Sequence, residues 1–180
     1  YGMTYDIPAV IVRPFNNYGP YQHLEKLVPR FITSVLLDEP LTIHGDGSAA
    51  RDFVHVEDNC RAIDMIIHAD QGLVKNQVFN IGSGIHRNIH DIARDIMHLM
   101  GTESTGSKLR YLGDRPGQVI RHTANTEKIQ KVIGWTPQMD WTSGLIKTIQ
   151  LYKDNRKWWE KQLWMRHIPI VTAKGERELH

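Results

Sequence analysis

The sequence lacks the features that mark disulfide-bonded, membrane-spanning and nucleic-acid-binding proteins. Its 180 residues contain one cysteine, Cys60, which excludes an intrachain disulfide and is typical of a protein in a reducing cytoplasm. No apolar run approaches the ~20 residues of a membrane-spanning helix, and no signal peptide is visible. Basic residues are interspersed with acidic ones at a net charge of +2, so the one-sided basic stripe of a nucleic-acid-binding protein is missing. We therefore expect a cytoplasmic protein that binds neither nucleic acid nor a membrane.

Short apolar strands alternate with amphipathic helices along the chain, which is typical of an α/β fold. Apolar, often β-branched runs predict strands at 9–12, 41–44, 52–56, 77–81 and 108–112. Apolar residues at helical spacing predict helices at 28–36, 57–67, 89–99, 127–133 and 143–154. The first strand is expected to be buried and parallel, and residues 16–20 to form a loop. The strands are few and short, which indicates a lobe built on a larger sheet.

Several residue types have both a structural and a functional interpretation. Cys60 is expected on the apolar face of its helix with Ile63 and Ile67, as a buried small hydrophobe. The ten histidines suggest a metal site, but no carboxylate-plus-histidine triad is visible, so scattered surface histidines are favoured. Trp158, Trp159 and Trp164 could stack on a ligand, although packing of a terminal helix is favoured.

Four segments carry a resemblance to a known family. They are Arg13–Gln22 with Glu25-Lys26-Leu27; Gly45–Gly47 with Arg51–Asp58; Phe79–Gly82; and Asp114–Gly117 with Ile133–Pro137 downstream. In this order, over about residues 9–150, they resemble the extended short-chain dehydrogenase/reductase family that acts on nucleotide sugars. The doubled asparagine and the Glu-Lys-Leu are similar to its dTDP-glucose 4,6-dehydratase branch.

The resemblance implies a fold and a set of partners. It implies an α/β fold: the C-terminal substrate-binding lobe of an NAD(P)-binding Rossmann-type enzyme, with the last strand or strands of the Rossmann sheet. Residues 1–165 would form the nucleotide-sugar-binding part, and residues 166–180 a poorly ordered tail. The intact enzyme would hold NAD, bind a dTDP- or UDP-linked hexose and form a homodimer. NAD would oxidise the sugar at C4, water would leave across C5 and C6, and the hydride would return at C6.

Two patterns of that family are missing from the chain. No tyrosine is followed by lysine four residues later, so the Tyr-x-x-x-Lys catalytic pair is absent. Gly45-x-Gly47-x-x-Ala50 fits a relaxed dinucleotide pattern, but a predicted strand follows it where a helix N-terminus would have to meet the pyrophosphate. A hairpin turn is the favoured interpretation. The sequence therefore predicts no catalytic residues in this chain and no dehydratase activity from it alone, as in a piece of something longer.

The resemblance assigns binding residues, each with a structural alternative. The substrate residues are Asn16, Lys26, Leu27, Thr42, Ile43, His44, Arg51, Asn80, Arg115 and Gln118, and the cofactor residues are Pro14, Phe15 and Asn17. The planar fork of arginine suits a diphosphate, although Arg51 and Arg115 could instead pair with the acids beside them. The two asparagines are also good turn residues, and His44 could be a strand residue that faces solvent. Asn80 could instead form a strand-end hydrogen bond to the Gly-rich turn that follows it. Gln118 departs from the histidine usual in the dehydratase pattern, which leaves the nucleotide and sugar open.

Three functions remain open from the sequence. The favoured one is the nucleotide-sugar-binding portion of an NAD-dependent 4,6-dehydratase. The second is the same portion of an epimerase or decarboxylase of that family. The third is a non-catalytic module that binds a nucleotide sugar or a partner protein.

Overall fold

The computed structural model describes residues 2–102, 109–114, 116–166, 169–172 and 174–179. Its helices are α1 (Gly2–Tyr5), α2 (Leu27–Leu36), α3 (Val56–His68), α4 (Gln71–Val74), α5 (Ile89–Leu99), α6 (Glu127–Ile133), α7 (Trp141–Asp154) and α8 (Arg156–Trp159), followed by a 3-10 helix (Glu160–Arg166). Its strands are β1 (Ile11–Pro14), β2 (Asn16–Tyr18), β3 (Leu41–His44), β4 (Ala50–His55), β5 (Val78–Ile81), β6 (His86–Asn88), β7 (Leu109–Leu112), β8 (Arg121–His122), β9 (Pro169–Val171) and β10 (Arg177–Leu179). Within the described ranges, no helix is long and apolar enough to cross a membrane.

Most strand pairs are parallel, and they join segments far apart in the sequence. Strand β1 pairs with β5, β2 with β4, and β3 with β7, all in parallel. Strand β4 also pairs with β6 in antiparallel and β8 in parallel orientation. Parallel neighbours need a crossover connection, and helices supply it here. This arrangement confirms the predicted α/β fold.

Helix α2 organises the larger of two hydrophobic clusters. Val28, Phe31, Ile32 and Val35 recur at the spacing of one helix face, and all four are buried. Helix α2 packs there against α5, α7 and β3. The chain leaves the helix through Asp38, which has a positive φ, just before Pro40. This reversal of the chain brings β3 back along α2. The cavity described below opens where β3 meets the start of that helix.

The second cluster lies between α3, α6 and β5, and it corrects the predicted face of α3. Ala62 and Ile66 point inward, whereas Cys60 is exposed and Ile67 is 71% exposed. The prediction that Cys60 is a buried hydrophobe was therefore wrong. The reason is Asp58, which is turned inward in the first turn and sets the inward face at intervals of four residues.

Three other predictions of local structure were wrong. Strand β1 is mostly exposed, because it pairs with β5 alone among the described strands. The predicted loop at 16–20 begins with strand β2, which pairs with β4. The glycines at 45 and 47 do form a turn, but β3 and β4 on either side of it pair with other strands, so it is not a hairpin. The expectation that a strand and not a helix follows these glycines is confirmed by β4.

The C-terminal segment contacts the rest of the fold. Trp158 packs against Tyr21 and Tyr152, and the buried Trp159 donates from Nε1 to the Tyr152 backbone carbonyl at 2.7 Å, so packing of these two tryptophans is confirmed. For Trp164 the packing prediction was wrong, because its side chain is 70% exposed. Arg166 is buried and donates from Nη2 to Ser34 Oγ at 2.6 Å. Strands β9 and β10 pair beyond it. The boundary at residue 165 and the poor order of the tail stay predictions.

Asp58 links the start of α3 to the segment before α7. Its carboxylate accepts hydrogen bonds from Arg61 Nη2 at 2.6 Å and from the backbone N–H groups of Gln138 and Met139 at 2.8–3.0 Å. Burial alone would raise the pKa of Asp58, but the bonds from Arg61 and the two N–H groups outweigh it and lower that pKa. The fold therefore favours the charged carboxylate.

This pKa predicts how the fold responds to acid. A lowered folded-state pKa adds stability that is present above the unfolded value of about 4 and is lost as pH falls through the folded value. We expect Asp58→Asn to lower the free energy of unfolding by about 2 kcal/mol at pH 7 and by much less near pH 3. Urea unfolding at both pH values measures this. Asp64→Asn, on the exposed face of the same helix, is the control, and an equal loss at both pH values would contradict the prediction.

Candidate functional site

A cavity of about 660 Å³ opens where β2, β3 and β4 meet the start of α2. Eight predicted site residues line it: Asn16, Asn17, Lys26, Leu27, Thr42, His44, Arg51 and Gln118. Six further residues complete the described wall: Gln22, Glu25, Val28, Ala49, Phe53 and Ile89. The fold thus gathers residues that lie up to about a hundred positions apart in the sequence. Its position beside the carboxyl end of β2 is the usual place for ligands of parallel α/β sheets.

Four predicted residues are absent from this wall, and a fifth cannot be placed. Ile43 has 0% exposure in the core, because side chains alternate along β3 and turn Thr42 and His44 the other way. A contact from the Ile43 side chain is therefore not available to a ligand. Arg115 lies outside the described residues.

The other three residues lie along the β1–β5 ladder. Asn80, on β5, donates from Nδ2 to the Asn125 carbonyl at 3.3 Å. This bond is structural, as in the alternative to ligand contact. Its acceptor, however, lies at Asn125 and not in the Gly-rich turn that follows the strand. Pro14 is exposed at the end of β1, and the Phe15 ring stands 4.6 Å from the His122 ring. Neither Pro14 nor Phe15 lines the cavity.

Arg51 places a guanidinium in the wall of the cavity. Its Nη1 donates to the carbonyls of Ala50 at 2.8 Å and Val119 at 2.6 Å, which fixes the guanidinium. No carboxylate in the described part of the chain forms an ion pair with it, so pairing with Asp52 is excluded there. The remaining donors of the fork suit a diphosphate or a carboxylate of a ligand.

Asp52 has a structural role that sequence analysis missed. Its carboxylate is fully buried and accepts four hydrogen bonds, from Ser83 N at 2.8 Å, Ser83 Oγ at 2.6 Å, Gly84 N at 2.9 Å and Ala124 N at 3.0 Å. A Cβ on Gly82 would stand 2.8 Å from its Oδ2, so only glycine allows this approach. Asp52 therefore joins β4 to the end of β5, and the next residue, Phe53, lines the cavity. Nothing in the sequence distinguished this aspartate from the partner of a neighbouring arginine.

Amide side chains form one corner of the cavity. Asn16 donates from Nδ2 to the Asp52 carbonyl at 3.1 Å. Gln22 was not among the predicted site residues. Its side-chain Nε2 donates to the backbone carbonyl of Asn17 at 2.6 Å, and its backbone carbonyl accepts from the Tyr152 hydroxyl at 2.6 Å. Asn17 Oδ1 and Gln22 Oε1 are buried without a hydrogen-bond partner among the described residues. Such acceptors suit a ligand with hydroxyl or amide donors.

The mouth of the cavity carries an ion pair. Lys26 Nζ lies 2.6 Å from Glu25 Oε1, and the hydrogen bond from Lys26 lowers the pKa of Glu25. Leu27, Val28 and Ile89 add apolar surface between these charges and Arg51. Such a wall suits a ligand that has anionic, hydroxyl-rich and flat apolar parts.

The histidines form no metal centre among the described residues. No group of three His, Cys, Asp or Glu side chains there could hold a metal ion. His55 is buried, however, so it is not one of the expected surface histidines. Its Nδ1 accepts from Glu57 N at 3.3 Å and caps α3, and burial lowers its pKa. The neutral His55 ring therefore acts as the N-cap of helix α3.

Comparisons with known proteins show what the sequence and the fold are similar to. The model of the NAD dependent epimerase/dehydratase family matches residues 1–82. A dTDP-glucose 4,6-dehydratase from Streptomyces niveus is 35% identical over 87% of this chain and 45% of its own length. The crystal structure of dTDP-glucose 4,6-dehydratase from Bacillus anthracis in complex with NAD aligns at a TM-score of 0.82 and 35% identity, over 89% of this chain and 50% of that one.

Over most of its length, the chain is similar to members of the NAD-dependent epimerase/dehydratase family. A second family structure, UDP-glucuronic acid 4-epimerase from Bacillus cereus in complex with UDP-glucuronic acid and NAD, aligns at a TM-score of 0.80 and 28% identity, over 86% of this chain and 48% of that one. The chain thus spans about half the length of the family members it matches. The resemblance and the fold predicted from the motifs are confirmed.

Proposed function

We propose that this chain is the nucleotide-sugar-binding portion of an NAD-dependent nucleotide-sugar 4,6-dehydratase. The observation that carries the proposal is Arg51, a guanidinium fixed in the cavity wall without a carboxylate partner among the described residues. A diphosphate is the group that its remaining donors fit best. The 35% identity to dTDP-glucose 4,6-dehydratases supports this choice.

Each part of a nucleotide sugar has suitable residues in the cavity. Arg51 would bind the diphosphate, with Lys26 at the mouth. Leu27, Thr42 and His44 would hold the base, since they combine an apolar side chain with a hydroxyl and a flat ring. The sugar hydroxyls would pair with amides, for which Asn16 and Gln118 are the candidates. In this arrangement Ile43 supports Thr42 and His44 from the core.

For NAD, the residues present fit one end of the cofactor only. Asn17 Oδ1 is a buried acceptor without a described partner, which suits the amide donor of a nicotinamide. Pro14 and Phe15 continue the same chain segment at the end of β1. When bound, NAD supplies the hydride chemistry of the reaction. This chain's residues would bind and orient the sugar, and Asn17 would hold the nicotinamide side.

The proposal predicts binding without turnover. Titration calorimetry with UDP-glucose and dTDP-glucose is expected to show saturable binding to one site. Incubation with NAD and dTDP-glucose is expected to form no 4-keto sugar, because the Tyr-x-x-x-Lys pair is absent from this sequence. Absorbance of the 4-keto product in alkali measures the second result. Absence of binding to either nucleotide sugar would overturn the proposal, and clear turnover would overturn the predicted inactivity.

An epimerase portion is the second candidate. The alignment with UDP-glucuronic acid 4-epimerase at 28% identity favours it. Titration with UDP-glucuronic acid beside UDP-glucose separates the two, because a clear preference for the uronic acid would favour the epimerase. A module that only binds nucleotide sugar would show the same binding, and its natural reading frame would distinguish it. A cytoplasmic location and a homodimeric intact enzyme remain part of this proposal.

A further inference from the structure

A buried arginine stands directly behind the cavity wall at Thr42. Arg30, on α2, is 5% exposed, and its Nε donates to Thr42 Oγ1 at 3.2 Å. Its Nη1 donates to the Arg166 carbonyl at 2.8 Å. The guanidinium plane is thus held at two points, one on the cavity wall and one on the C-terminal 3-10 helix.

This contact sets the direction of the Thr42 hydroxyl. A hydroxyl oxygen that accepts from a guanidinium cannot also turn its proton toward that cation. In the part of the chain that the structure describes, no acceptor takes the Thr42 proton. Thr42 lines the cavity, so its proton is available to a ligand there. The positive charge behind it adds to its strength as a donor.

The surroundings of Thr42 indicate which ligand atom accepts this bond. Helix α2, which carries Arg30, also contributes Leu27 and Val28 from its first turn to the same cavity. His44 lies two positions from Thr42 on the same face of β3. Apolar side chains and a flat ring suit a planar base, whereas Arg51 suits the diphosphate. A ring carbonyl is the acceptor that a planar base offers.

We propose that Arg30 is a positioning residue that presents the Thr42 hydroxyl as a hydrogen-bond donor to a ring carbonyl of a pyrimidine base. The inference rests on the proposed nucleotide-sugar function and deepens it. It also gives the C-terminal segment a part in recognition, because the Arg166 carbonyl fixes the guanidinium that orients Thr42. The site thereby selects bases with a carbonyl at this position over bases with an amine there.

Titration with three nucleotides tests the donor. The probes are UDP, 2-thio-UDP and 4-thio-UDP, in which sulfur replaces one ring carbonyl oxygen and accepts hydrogen bonds poorly. The wild-type chain is expected to bind UDP about 5-fold more tightly than one of the two analogues, in line with one net hydrogen bond. Thr42→Val should bind UDP and that analogue equally, and Thr42→Ser, the matched control, should keep the difference.

Variants of Arg30 test the positioning. Arg30→Lys keeps the charge but cannot donate to Thr42 and to the Arg166 carbonyl from two fixed nitrogens. The preference for UDP over the thio analogue should therefore fall below about 2-fold. Arg30→Met should lose the preference for UDP over the analogue in the same way. Thermal unfolding, measured in parallel, shows which variants are folded. The ratio of affinities for UDP and its analogue is the readout, because simple destabilisation would not change it.

The outcomes separate the two proposals. If the wild-type chain binds neither UDP nor either analogue, the proposed function fails. If UDP binds and Thr42→Val keeps the full discrimination, the donor role of Thr42 is wrong while the function stands. If Thr42→Val abolishes the discrimination but folded Arg30→Lys retains it, the positioning role of Arg30 is overturned.

Discussion

Replacing Asp52 by alanine is expected to lower the free energy of unfolding by about 4 kcal/mol, since it removes a fully buried carboxylate that accepts four hydrogen bonds. The carboxylate accepts from the backbone N–H groups of Ser83, Gly84 and Ala124 and from the Ser83 hydroxyl. Alanine removes the acceptor of all three N–H groups, of which the one on Ala124 is buried. Urea unfolding at pH 7 measures the loss.

Two further variants make the Asp52 experiment specific. Asp52→Asn keeps the size but sets an amide N–H₂ against backbone donors, so it should recover no more than about half of the loss. Asp154→Ala, at an exposed carboxylate that accepts from Gln150, should cost no more than about 0.5 kcal/mol. An equal effect of Asp52→Ala and Asp154→Ala would show that the buried carboxylate does not hold β4 to the end of β5.

Arg51→Met is expected to weaken UDP-glucose binding about 30-fold, the effect of losing charge-assisted hydrogen bonds to a diphosphate. The methionine retains apolar bulk, and the variant should still fold because the lost bonds to Ala50 and Val119 lie in a partly exposed region. Titration calorimetry of the wild-type and variant chains with UDP-glucose measures the change.

The ligand itself provides a sharper control for Arg51. Uridine lacks the diphosphate, so its weaker binding should be nearly the same in the wild-type chain and in Arg51→Met. Arg94→Met, at an exposed arginine paired with Asp91 on α5, should leave both affinities unchanged. Equal losses for uridine and UDP-glucose in Arg51→Met would place the arginine in the fold rather than at the diphosphate.

The candidate site could be predicted in part because its residues lie in motifs. Eight of the predicted positions line one cavity, among them Asn16, Lys26 and Arg51. The resemblance assigned Ile43 together with Thr42 and His44, but strand alternation turns its side chain into the core. Gln22 was missed as a site residue because its place in the wall depends on bonds with Asn17 and Tyr152.

Helix positions were predicted well, and helix faces less so. In α2 the apolar residues predicted to face the core are buried, but so are the polar residues Arg30, Thr33 and Ser34. In α3 the face follows Asp58, whose partners at Gln138 and Met139 are eighty positions away. Periodicity in the hydrophobic residues alone cannot reveal that a carboxylate is turned inward.

The amino-acid sequence by itself determined the α/β class, the family resemblance and the absence of the Tyr-x-x-x-Lys pair, because these depend on local pattern and order along the chain. Only the tertiary structure decided how polar groups are partnered. It left Arg51 without a carboxylate among the described residues, buried Asp52 under four hydrogen bonds and placed Arg30 behind Thr42. The physical reason is that a hydrogen bond depends on distance and direction in space, and parallel strand pairing brings distant segments together.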